Sequence, residues 1–151
     1  EITMATLKVK IQEDIILDNQ NYGSKRTLEI GSITDIYKRI VTCPASNTTT
    51  VVVFSTDTYD ASGALDVENC KYIRITNLDS TNAVEIGIVG SATNYQVTLA
   101  ANQSHILGSG TALLLAEADT SPSFGTMTDL TKISCNPGGN AVDIEMIVAS
   151  A

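Results

Sequence analysis

An all-β fold, a β-sandwich with the jelly roll among its candidate forms, is predicted by three features of this 151-residue chain. Apolar residues recur at every second position through three consecutive segments of residues 71–107, KYIRITNLDSTNAVEIGIVGSATNYQVTLAANQSHIL. Successive side chains of a strand point to opposite faces, so each segment buries one face and wets the other. The composition is rich in Thr, Ile, Val, Ser and Asn, poor in Lys, Arg and Glu, and without Trp, which favours strands over helices. Finally, about nine or ten short segments are separated by clusters of Gly, Asn, Asp and Ser. No long helix is available to carry a crossover between parallel strands. The length fits one domain spanning 1–151, large enough to bury its own core.

Taken in order, Leu7, Val9 and Ile11 alternate with Lys8, Lys10 and Gln12, predicting a half-buried first strand over 6–12. In DNQNYGSK, Asp18, Asn19, Asn21 and Gly23 bond to their own backbone or tolerate positive φ, so a loop is expected. A short strand over 26–30 follows. Residues 32–43 carry two patterns: Ile33, Ile36, Tyr37, Ile40 and Val41 fit a helical face, and Ser32 with Asp35 resembles a capping box. Yet β-branched residues are frequent over 37–43, and Pro44 biases Cys43 away from helical geometry, so extended structure is expected. TTTVVVFS at 48–55 is uncharged and strongly β-prone; left exposed it would aggregate, which places it centrally in a sheet. Asp57, Asp60, Ser62 and Gly63 form the next loop.

The organising segments come next. Ile73 and Ile75 oppose Tyr72, Arg74 and Thr76; Val84, Ile86 and Ile88 oppose Glu85 and Gly87; Tyr95, Val97 and Leu99 oppose Gln96 and Thr98. Asn77, Asp79, Ser80 and Asn82 turn the chain between the first two. A brief strand over 104–107 leads into GSG, and TALLLA at 111–116 reads as a strand or a single helical turn. Strands over 130–135 and through Val142, Ile144, Met146 and Val148, joined by NPGGN, close the chain.

The formal charge of -8 and pI near 4.4 repel a nucleic-acid backbone, so no nucleic-acid partner is expected. No apolar run approaches the roughly 20 residues that span a bilayer, so no membrane partner is expected either. EITMATLKVK has no apolar leader region, and Met4 is read as the natural start. Cys43, Cys70 and Cys135 form no CxxC or Cys/His cluster, which speaks against zinc. They are expected to be reduced, buried thiols, one disulfide plus a free thiol being the alternative.

No catalytic, cofactor or metal site emerges, and the chain is not expected to be an enzyme. The one histidine, His105, has no partner in sequence and reads as a surface or loop residue; the GSG at 108–110 lacks GxSxG spacing. Asp57, Asp60, Asp66, Glu68 and Asp79 near loops suggest a carboxylate pair for glycoside chemistry, but solvated turn acids are the expectation. Neither DTYD at 57–60 nor the acids between Asp14 and Asp18 has the spacing of a Ca²⁺ loop. Tyr22, Tyr59 and Tyr95 are candidates for a glycan surface or for the rim of the core.

Through KYIRITNLDSTNAVEIGI, the alternating strand after it, AANQSHIL, and upstream IYKRIVTCP, the chain resembles small virion structural proteins of marine tailed bacteriophages. The likeness covers about two thirds of the chain, departs at Gln103, and carries over no catalytic residues. It implies a non-enzymatic virion β-protein, assembled in the host cytoplasm as a homo-oligomer and in contact with the major capsid or tail protein. A capsid decoration (cement) protein that stabilises the head is the leading expectation. A tail or tail-fibre component, or a carbohydrate-binding host-attachment module, is the alternative. Residues 3–17 and 147–151, terminal and β-prone, are the expected docking arms.

Overall fold

The computed structural model describes residues 3–57, 63–91, 93–115 and 124–151. Among them run thirteen strands: β1 (Ala5–Gln12), β2 (Ile16–Leu17), β3 (Gln20–Asn21), β4 (Lys25–Ile33), β5 (Asp35–Cys43), β6 (Thr49–Ser55), β7 (Ala64–Asp66), β8 (Cys70–Asn77), β9 (Val84–Gly90), β10 (Asn94–Leu99), β11 (Ser104–Leu107), β12 (Leu130–Asn136) and β13 (Val142–Ser150). The all-β sandwich read from the sequence is the observed fold. The strands in excess of the expected number are the fragments β2, β3 and β7, two or three residues each, too short to leave an alternating pattern.

Eight strands build the sandwich as two antiparallel sheets, β5-β13-β8-β11 and β6-β12-β9-β10, with β7 added parallel to β6. Counted along the chain, the first of these eight pairs with the last (β5 with β13), the second with the seventh (β6 with β12), the third with the sixth (β8 with β11) and the fourth with the fifth (β9 with β10). One long hairpin rolled across two sheets produces that nesting, so the sandwich is a jelly roll.

The core lies between the sheets. Ile73, Ile75, Ile144, Met146 and Val148 from one inner face meet Ile86, Ile88 and Ile133 from the other, none accessible to solvent. All of these but Ile133 are positions that the two-residue alternation singled out, because burial of one face selects that spacing. Strand β6 is flanked on both sides, by β12 and β7, which shields its uncharged backbone as expected. Residues 32–43 form no helix and belong to β4 and β5 apart from Thr34 between them, with Ser32 left-handed at φ 59 beside a register slip between Ala5 and Leu7 of β1. Of TALLLA, residues 111–115 form neither strand nor helix and contribute one bridge, Leu114 to Thr128; position 116 lies outside the described residues.

Two expectations fail. Cys43 of β5 and Cys135 of β12 are joined by a disulfide between the two sheets, across 92 positions of sequence, where reduced thiols were expected. Both side chains are buried in the sandwich core, and their facing positions follow from the nesting of strands, not from their spacing. Cys70 is a buried free thiol. The C-terminal residues 147–151 are no docking arm: 147–150 belong to β13, an interior strand of its sheet, and Val148 and Ala149 have no solvent access.

The β8–β9 turn is ordered from within. Asn77, wholly buried, donates through Nδ2 to the carbonyls of Asn82, Leu99 and Ala100 at 2.9, 3.1 and 3.2 Å. Its Oδ1 accepts the Asp79 N–H at 2.9 Å. One side chain thereby ties the turn to the end of β10. The carboxylate of Asp79 accepts the backbone N–H groups of Asn82 and Thr81, in that order the leading causes that hold its pKa below the ordinary aspartate value. A depressed folded-state pKa contributes stability above the unfolded pKa and loses it as pH falls through the folded one. Asp79→Asn is therefore expected to flatten the acid limb of the stability–pH curve below about pH 4, measured by urea unfolding at stepped pH. An unchanged limb would refute this role.

Candidate assembly surface

Residues 3–33 do not join the two sheets of the sandwich. Strand β1 pairs antiparallel with β4, and β2 with β3 closes the tip of this long hairpin. Asp18 and Asn19, at φ 49 and 63, occupy the two central turn positions, the left-handed pair that matches the twist of the flanking strands. The sequence marked both residues for such a conformation but read them as a loop between sandwich strands. Gly23 is required where it stands: a Cβ there would lie 1.7 Å from the Glu13 carbonyl oxygen.

Leu7, Val9 and Ile30 of the hairpin pack on Tyr72, Ala149 and Ile33, covering part of the outer face of the β5-β13-β8-β11 sheet. Tyr72 shares its face of β8 with Arg74 and Thr76, as alternation requires, yet it is buried because the hairpin lies over it. That burial raises its phenol pKa against the opposing influence of Arg74. Farther along, Val9, Ile11, Arg26, Thr27 and Leu28 share an apolar cleft of about 370 Å³ with Lys71, Tyr72, Ile106, Leu107 and Gly108.

The hairpin therefore leaves the sheet at the β5 edge, where Thr34 donates to Ser150, and crosses toward the β11 edge. Nine residues of β4 span about 30 Å, whereas three inter-strand spacings amount to about 14 Å. Val9, Ile11 and Arg26 to Leu28 already lie beside Ile106 and Leu107 of β11, so the tip, residues 13–24, leads on past the residues that meet that edge. There Ile15, Ile16, Leu17 and Tyr22 are all more than half exposed, Ile16 at 75%. An isolated two-stranded ribbon is marginal in water, and clustered exposed apolar side chains mark an interaction surface.

A second apolar patch lies at the opposite edge of the same sheet. Ile36 and Ile40 of β5, 51% and 59% exposed, flank Lys38 on the outer face, and among the described strands β5 is hydrogen-bonded on its β13 side alone. Between the edges the outer face satisfies itself. Arg74 meets Glu145 at 2.5 Å and donates to Thr76, whose hydroxyl lies 2.7 Å from that of Ser104.

The residues singled out for chemistry are dispersed. His105 is half-buried on β11, not a loop residue, and its Nε2 lies 3.1 Å from the Tyr95 hydroxyl of β10. The pair bridges the two sheets along one open side of the sandwich; burial raises the Tyr95 pKa. Asp66 accepts from Glu68 N–H and Asn69 Nδ2 before β8, whereas Asp79 lies after it. The two acids thus sit at opposite ends of one strand. Asp57 donates its N–H to Ser55 Oγ, and Asp14 accepts from Gln12. Tyr59 and Asp60 lie outside the described residues. Tyr22 is on the arm and Tyr95 inside the sandwich mouth, so they do not form one glycan surface. A polar groove of about 370 Å³ on the outer face of the other sheet, lined by Glu85, Asn94, Gln96, Lys132 and Asn136 among others, has no aromatic ring among the described residues that line it.

Neither the arm's course nor Asn77's central role was visible in sequence; alternation assigns faces but not which sheet a strand joins. No family model matches the chain, and no curated protein matches it. Among solved structures it is similar to a chain from Bacillus endospore appendages, described as forming a novel family of disulfide-linked pili. The two are 11% identical with a TM-score of 0.39, the match covering 76% of this chain and 88% of that one.

Proposed function

We propose that this chain is a non-enzymatic structural subunit of a bacteriophage particle, a decoration protein seated on the head. The jelly roll decides nothing alone, because viral shells and sugar-binding domains both use it. The reading is carried by the arm, which spends a fifth of the chain on a ribbon holding Ile15, Ile16, Leu17 and Tyr22 away from the sandwich. A subunit that gained nothing from contact would bury such side chains. The inter-sheet disulfide is in keeping with this role, since cross-links of that kind persist on particle surfaces and are reduced in the cytosol.

The test is localisation of the chain in electron-microscopy maps of its native particle, together with sedimentation of the purified chain with particles that lack it. Density on the head, and a higher rupture temperature of decorated heads, is the expected result. Density confined to the tail would transfer the role there. Absence from particles, or glycan-array binding lost on Tyr22→Ala, would overturn the assignment.

A further inference from the structure

We infer that the arm tip of one copy docks on the β5 edge of a second copy. This deepens the structural reading and rests, like it, on the exposed arm tip, to which it adds the charges of the tip and of β5. The tip, residues 13–24, contains Glu13, Asp14 and Asp18 and no Lys or Arg. Strand β5 contains Lys38 and Arg39, with Asp35 at its start. Among the described residues the ion pairs are Lys8–Glu29 and Arg74–Glu145, so the three tip carboxylates and the two β5 cations have no opposite charge at salt-bridge distance within their own chain.

The apolar parts match as the charges do. Ile15, Ile16, Leu17 and Tyr22 sit among the tip acids, and Ile36 and Ile40 flank Lys38 on the outer face of β5. On the outer face Lys38 stands between Ile36 and Ile40, while Arg39, exposed at the same edge, lies on the other side of β5 with Tyr37 and Val41. The neighbouring acids of β13, Glu145 and Asp143, are already held by Arg74 and Thr42. The two edge cations are thus left to the tip acids, a pairing of opposite charge that fixes register and speeds encounter. The two patches cannot meet within one chain. The arm departs from the β5 side and its tip leads on past the residues that meet β11, the far edge of the same sheet. A second copy placed beside β11 with its own β5 facing the tip brings them together. The contact joins two different patches, so it repeats from copy to copy, giving a ring where the rotation closes and a filament where it does not.

The purified full-length chain is examined by analytical ultracentrifugation over a concentration series at low and high NaCl. Self-association is expected, weakening at least tenfold as salt rises from about 0.05 to 0.5 M. Glu13→Lys with Asp14→Lys, and separately Lys38→Glu with Arg39→Glu, should each weaken it about tenfold or more, and combining the four should restore it. Ile16→Ser should weaken it at any salt. Melting temperatures near that of the parent confirm that these exposed changes leave the fold intact. A chain that stays monomeric throughout, associates regardless of either reversal, or is not rescued by the combined one refutes the docking. Head localisation can fail while this association stands, and the reverse, so the two proposals are separable.

Discussion

Asn77→Asp is expected to destabilise the protein by about 4 kcal/mol, since each buried polar group left unpaired costs roughly 1–3 kcal/mol. The exchange alters one atom of a fully buried side chain and leaves its shape intact, so packing is nearly unchanged. What changes is the hydrogen-bond inventory. Nδ2 shares its two hydrogens among three carbonyls, of Asn82, Leu99 and Ala100, whereas a carboxylate oxygen there would only accept and would face three partial negative charges. Asn77→Ala is expected to lose somewhat less, because it strands the carbonyls and the Asp79 N–H without burying a charge. For a chain of this size the aspartate variant should melt about 10 °C or more below the parent. A loss under about 1 kcal/mol, the net worth of an ordinary hydrogen bond, would show that Asn77 is no hub.

Cys43→Ala with Cys135→Ala is expected to lower stability by about 3–4 kcal/mol at unchanged fold. The bridge closes a loop of 92 positions, and the denatured chain regains most of the freedom that closure removes. Because the change acts on the denatured state, the urea m-value should rise while the midpoint falls. Thiol titration of the denatured, unreduced chain supplies the independent check. One reactive thiol, Cys70, is expected before reduction and three after it. Three reactive thiols without reductant would remove the bridge from the account.

The sandwich was legible where burial imposes a two-residue rhythm. The segments that became β8, β9, β10 and β13 place Ile73, Ile75, Ile86, Ile88, Leu99, Ile144, Met146 and Val148 inward as the alternation requires. Residues 32–43 were legible through β-branching and Pro44 despite an apolar spacing that also fitted a helix. What alternation lacks is information about neighbours. Leu7, Val9 and Ile11 read as a sandwich strand, but nothing in that pattern says that they rest on the outer face of a sheet. Cys43 and Cys135 meet only because the first strand of the roll lies opposite the seventh. The Asn77 amide belongs to a turn-forming type, and only the fold reveals three carbonyls converging on it. Ile147 and its neighbours, close to the chain end, were assigned to the surface by position, though β13 is held on both sides.

The nesting of first strand against last has a consequence for biosynthesis. Strand β5 leaves the ribosome about a hundred residues ahead of β13, its sole ladder partner among the described strands, and at 5–20 residues per second that delay is roughly 5–20 s. The ribbon ahead of it waits equally long for Ala149, part of the shelf on which it comes to rest. During translation the nascent polypeptide thus displays its stickiest end with nowhere to put it. Yield should accordingly respond to chaperone supply and to growth temperature more than the finished sandwich's robustness would suggest.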